Sequence, residues 1–295
     1  MTPYPRTPLG VGTVDPENRM PDANDCCSKP TGQPVEVMAD VQAFSDRRKI
    51  AIDRVGVKDI TYPIVLRTPD GGERHTIAKI DMYVSLPHHQ KGTHMSRFLE
   101  VLNENAQGVT PAMIPAITRE IRKRLDAETA HLKLEFTYFI NKRAPVTKAP
   151  GLMDYSVAFE CSSNAHDDFI MQVTAPATSL CPCSKEISRF GAHNQRCAIT
   201  ARVRFDGTLW IEDLVRILEG AASTEVYSVL KRPDEKFVTE DAFENPKFVE
   251  DIVRDLALAL EKEDRILWYE IDSENFESIH NHNAYARITR DKREG

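Results

Sequence analysis

The sequence predicts an α+β protein in which helices cover one face of antiparallel sheet. Apolar residues alternate with polar ones at a period of two in several stretches, as half-buried strands require, and recur at a helical period in the stretches between. The same order of elements then returns in the second half of the chain.

Taken in order, residues 1–36 are rich in Pro, Asp and Asn without any period, which predicts a disordered tail. Its vicinal pair, Cys26 and Cys27, has no fixed geometry for chemistry. Order is expected from Val37. "IAKIDMYVSL" sets Ile80, Met82, Val84 and Leu86 on one face and Lys79, Asp81 and Ser85 on the other, and "HLKLEFTYFI" does the same with Leu132, Leu134, Phe136 and Tyr138. Both stretches are strands. Between them a short helix is expected over 94–106. A second helix opens with Thr110 as N-cap and Pro111 in its first turn, then places Met113, Ile114, Ile117, Ile121 and Leu125 at helical spacing. Beyond the turn "APVTKAPG" come strands within 155–174 and over 195–205, a helix from Ile211, a longer helix opening at Asn245-Pro246, and strands over 266–271 and 285–289. Each half reads strand-strand-helix-helix-strand-strand, giving two antiparallel sheet modules over 37–150 and 151–295, each with two helices on one face. Such sheets leave edges that invite pairing, so the halves are expected to pair with each other and the chain to oligomerise.

Composition narrows the function. A chain of 295 residues with 41% hydrophobic residues buries a sizeable core without covalent staples. A formal net charge of −7 argues against a nucleic-acid coat or an anionic-membrane binder. The sequence has no apolar run long enough to span a bilayer, and "MTPYPRTPLG" lacks the apolar core of a secretory signal, a combination that reads as cytoplasmic. Thiols stay reduced there. The six cysteines then read as ligands, nucleophiles or small buried residues.

The stretch "SLCPCSKEISRFGAHNQR" gathers Cys181, Cys183 and His193 among polar neighbours. Structural zinc sites space their ligands two to four residues apart within a pair and need two such pairs, whereas here the cysteines stand one residue apart and no second pair follows. A thioredoxin-like motif needs C-x-x-C in a parallel-sheet setting. Neither pattern is met, which leaves a partial metal shell or buried turn residues. Further ligands could come from "KRPDEKF" and "ESIHNHNAYA", which offer Asp234, Glu235, Glu277, His280 and His282. Mixed Cys, His and carboxylate ligation is the pattern of a site where a divalent metal activates water.

Together "LPHHQKGTHMSRF", "SLCPCSKEISRFGAHNQR", "LKRPDEKFVTE", "NPKFVEDIVRD" and "ESIHNHNAYA" resemble GTP cyclohydrolase I of the type IB family, in the tunnelling-fold superfamily. The resemblance runs from about Asp40 to the C-terminus. It implies a homotetramer of bimodular subunits that converts GTP and water to 7,8-dihydroneopterin triphosphate and formate, the entry to folate and related pterins. Two positions depart from the pattern: His89, where an acidic residue is commoner, and Asn283, where Asp is commoner.

By the same resemblance Cys181, His193, Glu235 and His280 surround a divalent metal, Zn, Mn or Fe(II), with no organic cofactor. Cys183 is left as a thiol behind the metal or an alternative ligand. Cys181, His280 and Glu277 are the expected catalytic groups, His280 moving protons as well as ligating. On the helix after Pro246 the periodicity puts Glu250 at the edge of the buried stripe, a rim position, and the resemblance makes it the anchor for N1–H and the exocyclic amine of guanine. For the triphosphate, "HHQKGTHMSR" concentrates His88, His89, Lys91, His94 and Arg97 before a helix, with Gly92 permitting close approach and no Walker pattern. Lys185 and Arg189 are second candidates. Two alternatives remain at this level: a relative that makes a cyclic-phosphate pterin, as in archaea, and a purine-binding metal protein without turnover.

Overall fold

The computed structural model describes residues 40, 42 and 44–294. The chain divides into two units, Met1–Asp40 and Val41–Gly295, and the architecture here is that of the second. The expected tail and the Cys26-Cys27 pair lie outside the described residues.

Among the described residues the strands are β1 (Ile52–Arg67), β2 (Glu73–Leu86), β3 (Ala130–Arg143), β4 (Pro150–Ser163), β5 (Asp167–Leu180), β6 (Asn194–Phe205), β7 (Thr224–Glu225), β8 (Ile266–Asn275) and β9 (Ala284–Asp291). They form one antiparallel sheet in the order β1-β2-β3-β4-β5-β6-β8-β9, with the short β7 paired to β5. The helices are α1 (Met95–Asn105), α2 (Ile114–Arg124), α3 (Pro182–Ile187), α4 (Ile211–Gly220), α5 (Arg232–Glu244) and α6 (Val249–Glu261). This is the expected α+β arrangement of antiparallel sheet and helices. The expected halves, 37–150 and 151–295, pair through β3 and β4, from Ala130 opposite Ser163 to Arg143 opposite Pro150, and β4 in turn pairs with β5 from Ser156 opposite Thr174 to Ser163 opposite Asp167.

The alternation seen in the sequence decides which face is buried. Ile80, Met82, Val84, Leu132, Leu134, Phe136 and Tyr138 all lie in the core beneath α1 and α2, whose Phe98, Val101, Ile114, Ile117 and Ile121 meet them. In the second half Val173, Ala175, Ile199, Ala201 and Ile271 face Leu214, Leu218, Ile252, Leu256 and Leu260 of α4 and α6. The opposite face carries charge. Glu160 of β4 pairs with Lys133 of β3 at 3.6 Å and with Arg202 of β6 at 3.2 Å, and Glu270 of β8 joins Arg202 at 3.6 Å.

Three local departures from expectation have physical causes. The helix expected from Thr110 begins as a 3-10 turn over Pro111–Met113 and becomes α-helical only at Ile114. Pro115 has no N–H to donate back to Pro111, so the four-residue ladder cannot close earlier. The helix expected at Asn245-Pro246 starts at Val249, because Asn245 Nδ2 is held by the carbonyls of Ala222 and Ser223 and the Lys247 N–H donates to the Leu180 carbonyl at 3.0 Å. Finally, "KRPDEKF", where no helix is expected, opens α5. Pro233 starts the helix and Asp234 caps it, accepting from the Lys231 N–H at 2.9 Å. Few of its side chains are buried, so its apolar period is faint.

Candidate functional site

Strand direction collects the predicted metal loop. In this sheet the C-terminal end of β5, the N-terminal end of β6 and the C-terminal end of β8 lie together, with Leu180 opposite Asn194 and Cys197 opposite Asn275. Cys181 therefore leaves β5 beside the point where His193 enters β6, and the Cys181 N–H donates to the His193 carbonyl at 3.1 Å. Pro182 then starts α3 with Cys181 at its N-cap, where the Sγ accepts from the Ser184 N–H at 3.4 Å. Ser184 Oγ ties the loop closed, donating to the Cys181 carbonyl at 3.1 Å and accepting from the His193 N–H at 3.2 Å. Cys183 points outward and is exposed.

The loop after β8 reaches the same place. The Phe276 N–H donates to the Arg196 carbonyl at 2.9 Å, and Ser278 Oγ lies 3.4 Å from His193 Nδ1. Two residues on, His280 is exposed and holds its Nδ1 3.4 Å from Glu277 Oε2, whose side chain is only 13% exposed. His282 stacks at a tilt on His280, ring centroids 5.2 Å apart. Asn283 donates Nδ2 to Glu274 at 2.7 Å, a bond that an Asp at this position could not make.

Glu250 also arrives at this end. Backbone pairing of Lys247 with Leu180 sets the N-terminus of α6 against the end of β5, and Glu250 stands exposed in that first turn. A cleft of about 540 Å³ opens between the loop and α5, lined by Leu180, Phe190, Asn194, Thr224, Glu240 and Phe243 among others. Lys185 ties α3 to the end of α5: its Nζ donates to the Phe243 carbonyl and sits 4.4 Å from the Phe243 ring centre. Arg189 lies over Phe190, 5.4 Å from the ring centre, and is exposed.

Other predicted residues do not join them in a cluster. Glu235 is exposed in the first turn of α5, eight residues before Phe243, which is about 12 Å of helix from the contact with Lys185. Among the described residues no three His, Cys, Asp or Glu side chains gather closely enough to hold a metal. Asp234, one of the acidic candidates, is committed elsewhere: its buried carboxylate accepts from the N–H groups of Val146 and Thr147 at 2.9 and 2.8 Å and from Thr147 Oγ1 at 2.6 Å. Those bonds hold its carboxyl well below the usual carboxylate range despite burial, which opposes them.

The predicted phosphate loop lies at the far end of the sheet. His88, His89, Lys91 and His94 follow the C-terminal end of β2, level with the start of β5, and the 14 residues of β5 put about 45 Å of strand between that end and Cys181. The loop is braced by residues before β1, with the Asp46 N–H donating to the His89 carbonyl at 2.9 Å and the Lys91 N–H to the Phe44 carbonyl at 3.0 Å. Arg97 is occupied in closing α2, donating Nη1 to the Arg124 carbonyl at 3.1 Å. A separate depression of about 420 Å³ on the charged sheet face, lined by Arg54, Tyr83, His131 and Glu160 among others, contains none of the predicted site residues.

Sequence reasoning missed a buried polar cluster directly under the metal loop. Ser179, Gln195, Ser273 and Asn275 are all buried and lie in the helix-facing register of their strands, after apolar residues in β5 and β8 and before them in β6. Polar residues in an inward register were the available signal.

Fold and site define an α+β protein that presents a thiol, an imidazole and a carboxylate–imidazole pair at one end of an antiparallel sheet. The family model described as "Type I GTP cyclohydrolase folE2" matches residues 38–286, and the chain belongs to that family. Two similar curated proteins are GTP cyclohydrolase FolE2 of Geobacter sulfurreducens, 55% identical over 256 residues, covering 87% of this chain and 99% of that protein, and GTP cyclohydrolase FolE2 of Syntrophobacter fumaroxidans, 55% identical over 257 residues, covering 86% and 100%. Among solved structures, urate oxidase of Bacillus sp. TB-90 matches at 9% identity with a TM-score of 0.46, over 81% of this chain and all of that one.

Proposed function

We propose that the chain is a metal-dependent GTP cyclohydrolase that converts GTP and water to 7,8-dihydroneopterin triphosphate and formate in the cytoplasm, as a homotetramer of bimodular tunnelling-fold subunits. The observation that supports this most directly is the placement of Cys181, His193 and the Glu277–His280 pair on neighbouring loops at one end of the sheet, joined by the contact of Ser278 with His193. The donor set fits a divalent metal of the Zn, Mn or Fe(II) class by its chemistry, a thiol and an imidazole on half-buried residues whose backbones are bonded to each other. Cys181 and His193 would hold it, with Glu235 and His280 as further ligands; when bound, the metal is a Lewis acid that makes water nucleophilic near neutral pH, as opening guanine at C8 requires. Glu277 accepts from Nδ1–H of His280 and so leaves Nε2 to hold or pass a proton. Incubating the protein with GTP and Mn2+, then assaying the pterin and formate, tests the reading. A cyclic-phosphate product would point to the archaeal-type reaction, which the family match does not favour, and no turnover would leave a purine-binding protein.

Glu250 is the proposed guanine anchor, its two oxygens accepting from N1–H and the exocyclic amine. Glu250→Gln should retain its metal but bind GTP about 10- to 150-fold more weakly, the loss of a charge-assisted bond worth about 1.5–3 kcal/mol. Discrimination against ATP should shrink with it. Loss of metal would make Glu250 a ligand, and unchanged GTP affinity would return it to a solvated rim carboxylate.

Separation of the His88–His94 loop from Cys181, with no three metal donors gathered among the described residues, supports a site completed by a second chain. Exposed Ile187, Phe190, Phe276 and Ile279 ring the metal loop, as a surface covered by another subunit would. Reassembling a mixture of Cys181→Ala and Glu235→Ala should then restore activity at some mixed sites, measured as GTP turnover after proven subunit exchange. Complete inactivity of the exchanged mixture would place both residues on one chain.

A further inference from the structure

Beneath the metal loop the buried polar residues form a chain with only one consistent assignment of protons. Ser179 Oγ is 3.1 Å from the Lys247 carbonyl, 3.3 Å from Gln195 Nε2 and 3.0 Å from Asn275 Nδ2. A hydroxyl has one proton and two acceptor sites. The carbonyl can only accept, so it takes the proton, and Ser179 must accept from both amides. Asn275 is fixed the same way, since its Oδ1 receives the Ser273 hydroxyl at 3.3 Å. Gln195 therefore turns its NH2 toward Ser179 and its Oε1 toward His193, 3.0 Å from Nδ1. An amide oxygen cannot donate. Nδ1 must carry the proton, and the lone pair of His193 is left on Nε2. Reversing the Gln195 amide would point two acceptors, its own Oε1 and the Lys247 carbonyl, at Ser179's only proton and leave one of them unbonded in the interior, at a cost that buried polar groups avoid.

We infer that Gln195, locked by Ser179, is a positioning residue that fixes His193 as the Nδ1–H tautomer and presents its Nε2 to the metal. This rests on the proposed metal site, and it adds what the ligand set does not contain: the reason His193 is ready to ligate before any metal arrives. Ser278 Oγ, 3.4 Å from the same Nδ1, is the other neighbour, but a hydroxyl turns to suit either tautomer and so cannot select one. Carboxamide or carboxylate partners behind a ligating imidazole commonly change metal affinity 10- to 100-fold.

Nitrogen chemical shifts of His193 in the full-length, metal-free protein read the tautomer directly, and Mn2+ titration followed by electron paramagnetic resonance reads affinity. In the unsubstituted protein His193 should show Nδ1–H and a bare Nε2. Gln195→Leu should mix the tautomers and weaken Mn2+ binding about 10- to 100-fold. Gln195→Glu, which keeps an acceptor facing Nδ1, should restore both, and Ser278→Ala should leave the tautomer unchanged. Nε2–H in the unsubstituted protein would overturn the inference, a result that requires no variant to fold. So would a Gln195→Leu protein with the original tautomer and affinity. If the tautomer follows Gln195 while His193→Ala binds Mn2+ normally, the relay stands and the metal assignment beneath it falls.

Discussion

Cys181→Ala should emerge from purification with little divalent metal and turn over GTP at least about a thousandfold more slowly, the equivalent of about 4 kcal/mol of lost transition-state stabilisation. The argument is one of environment. Thiolates bind metals and thiols do not, so a ligand cysteine needs water, a positive neighbour or backbone donors to keep its charge. Cys181 is only half-buried, and its Sγ accepts the Ser184 N–H at the start of a loop helix. Cys161 and Cys197 are buried instead, and burial outweighs the favourable neighbours each has, pushing their thiols up to about 11 and about 12. Cys197→Ala, two residues from the buried Gln195, should therefore retain its metal. Metal content by atomic emission and GTP turnover, read on the same samples, separate the two substitutions. Full metal occupancy and full rate in Cys181→Ala would remove the loop from the chemistry.

Much of the fold was legible because its core elements obey simple periods. Leu132, Leu134, Phe136 and Tyr138 are buried as alternation requires, and Ile114, Ile117 and Ile121 as a helical stripe requires. The α5 helix was not legible as a helix, because its capping Pro233 and Asp234 carry the signal while its side chains mostly face solvent. Part of the layout of the candidate site was legible too. Cys181 and His193 are close in sequence and stay close in space, since one loop joins adjacent strands. The joining of Ser278 to His193 depends on β8 lying next to β6, a sheet order that no local pattern encodes. Arg97 and Lys185 show the opposite limit. Both are cations in suggestive positions, yet each donates to a helix-end carbonyl, where a positive charge is favoured for reasons unconnected with a ligand.

Lys142→Met should cost about 3–5 kcal/mol of stability, because it strands a buried carboxylate. Lys142 lies at the end of β3 with its side chain 12% exposed, its Nζ 2.7 Å from Glu219 of α4 and 2.8 Å from Glu225 of β7. Tyr155 of β4 donates its hydroxyl to Glu219 at 2.8 Å, and Tyr227 supplies a ring face 4.4 Å from the ammonium. One cation thus ties two strands of the sheet to α4 and to the segment leading into α5. Burial already raises the Glu219 carboxyl above its ordinary range, against the pull of Lys142. A carboxyl raised in the folded state favours folding below its unfolded value and loses that contribution as the pH climbs through the folded value. Removing Lys142 raises it further, so the deficit should be largest near pH 8 and shrink toward pH 5. Lys142→Met combined with Glu219→Gln should regain most of the loss, since the amide leaves no stranded charge. Urea unfolding at the two pH values and one protein concentration decides it. Equal stability of the single and double variants at pH 8 would show that Glu219 had found water or another partner, and that the network is ornament to the packing around it.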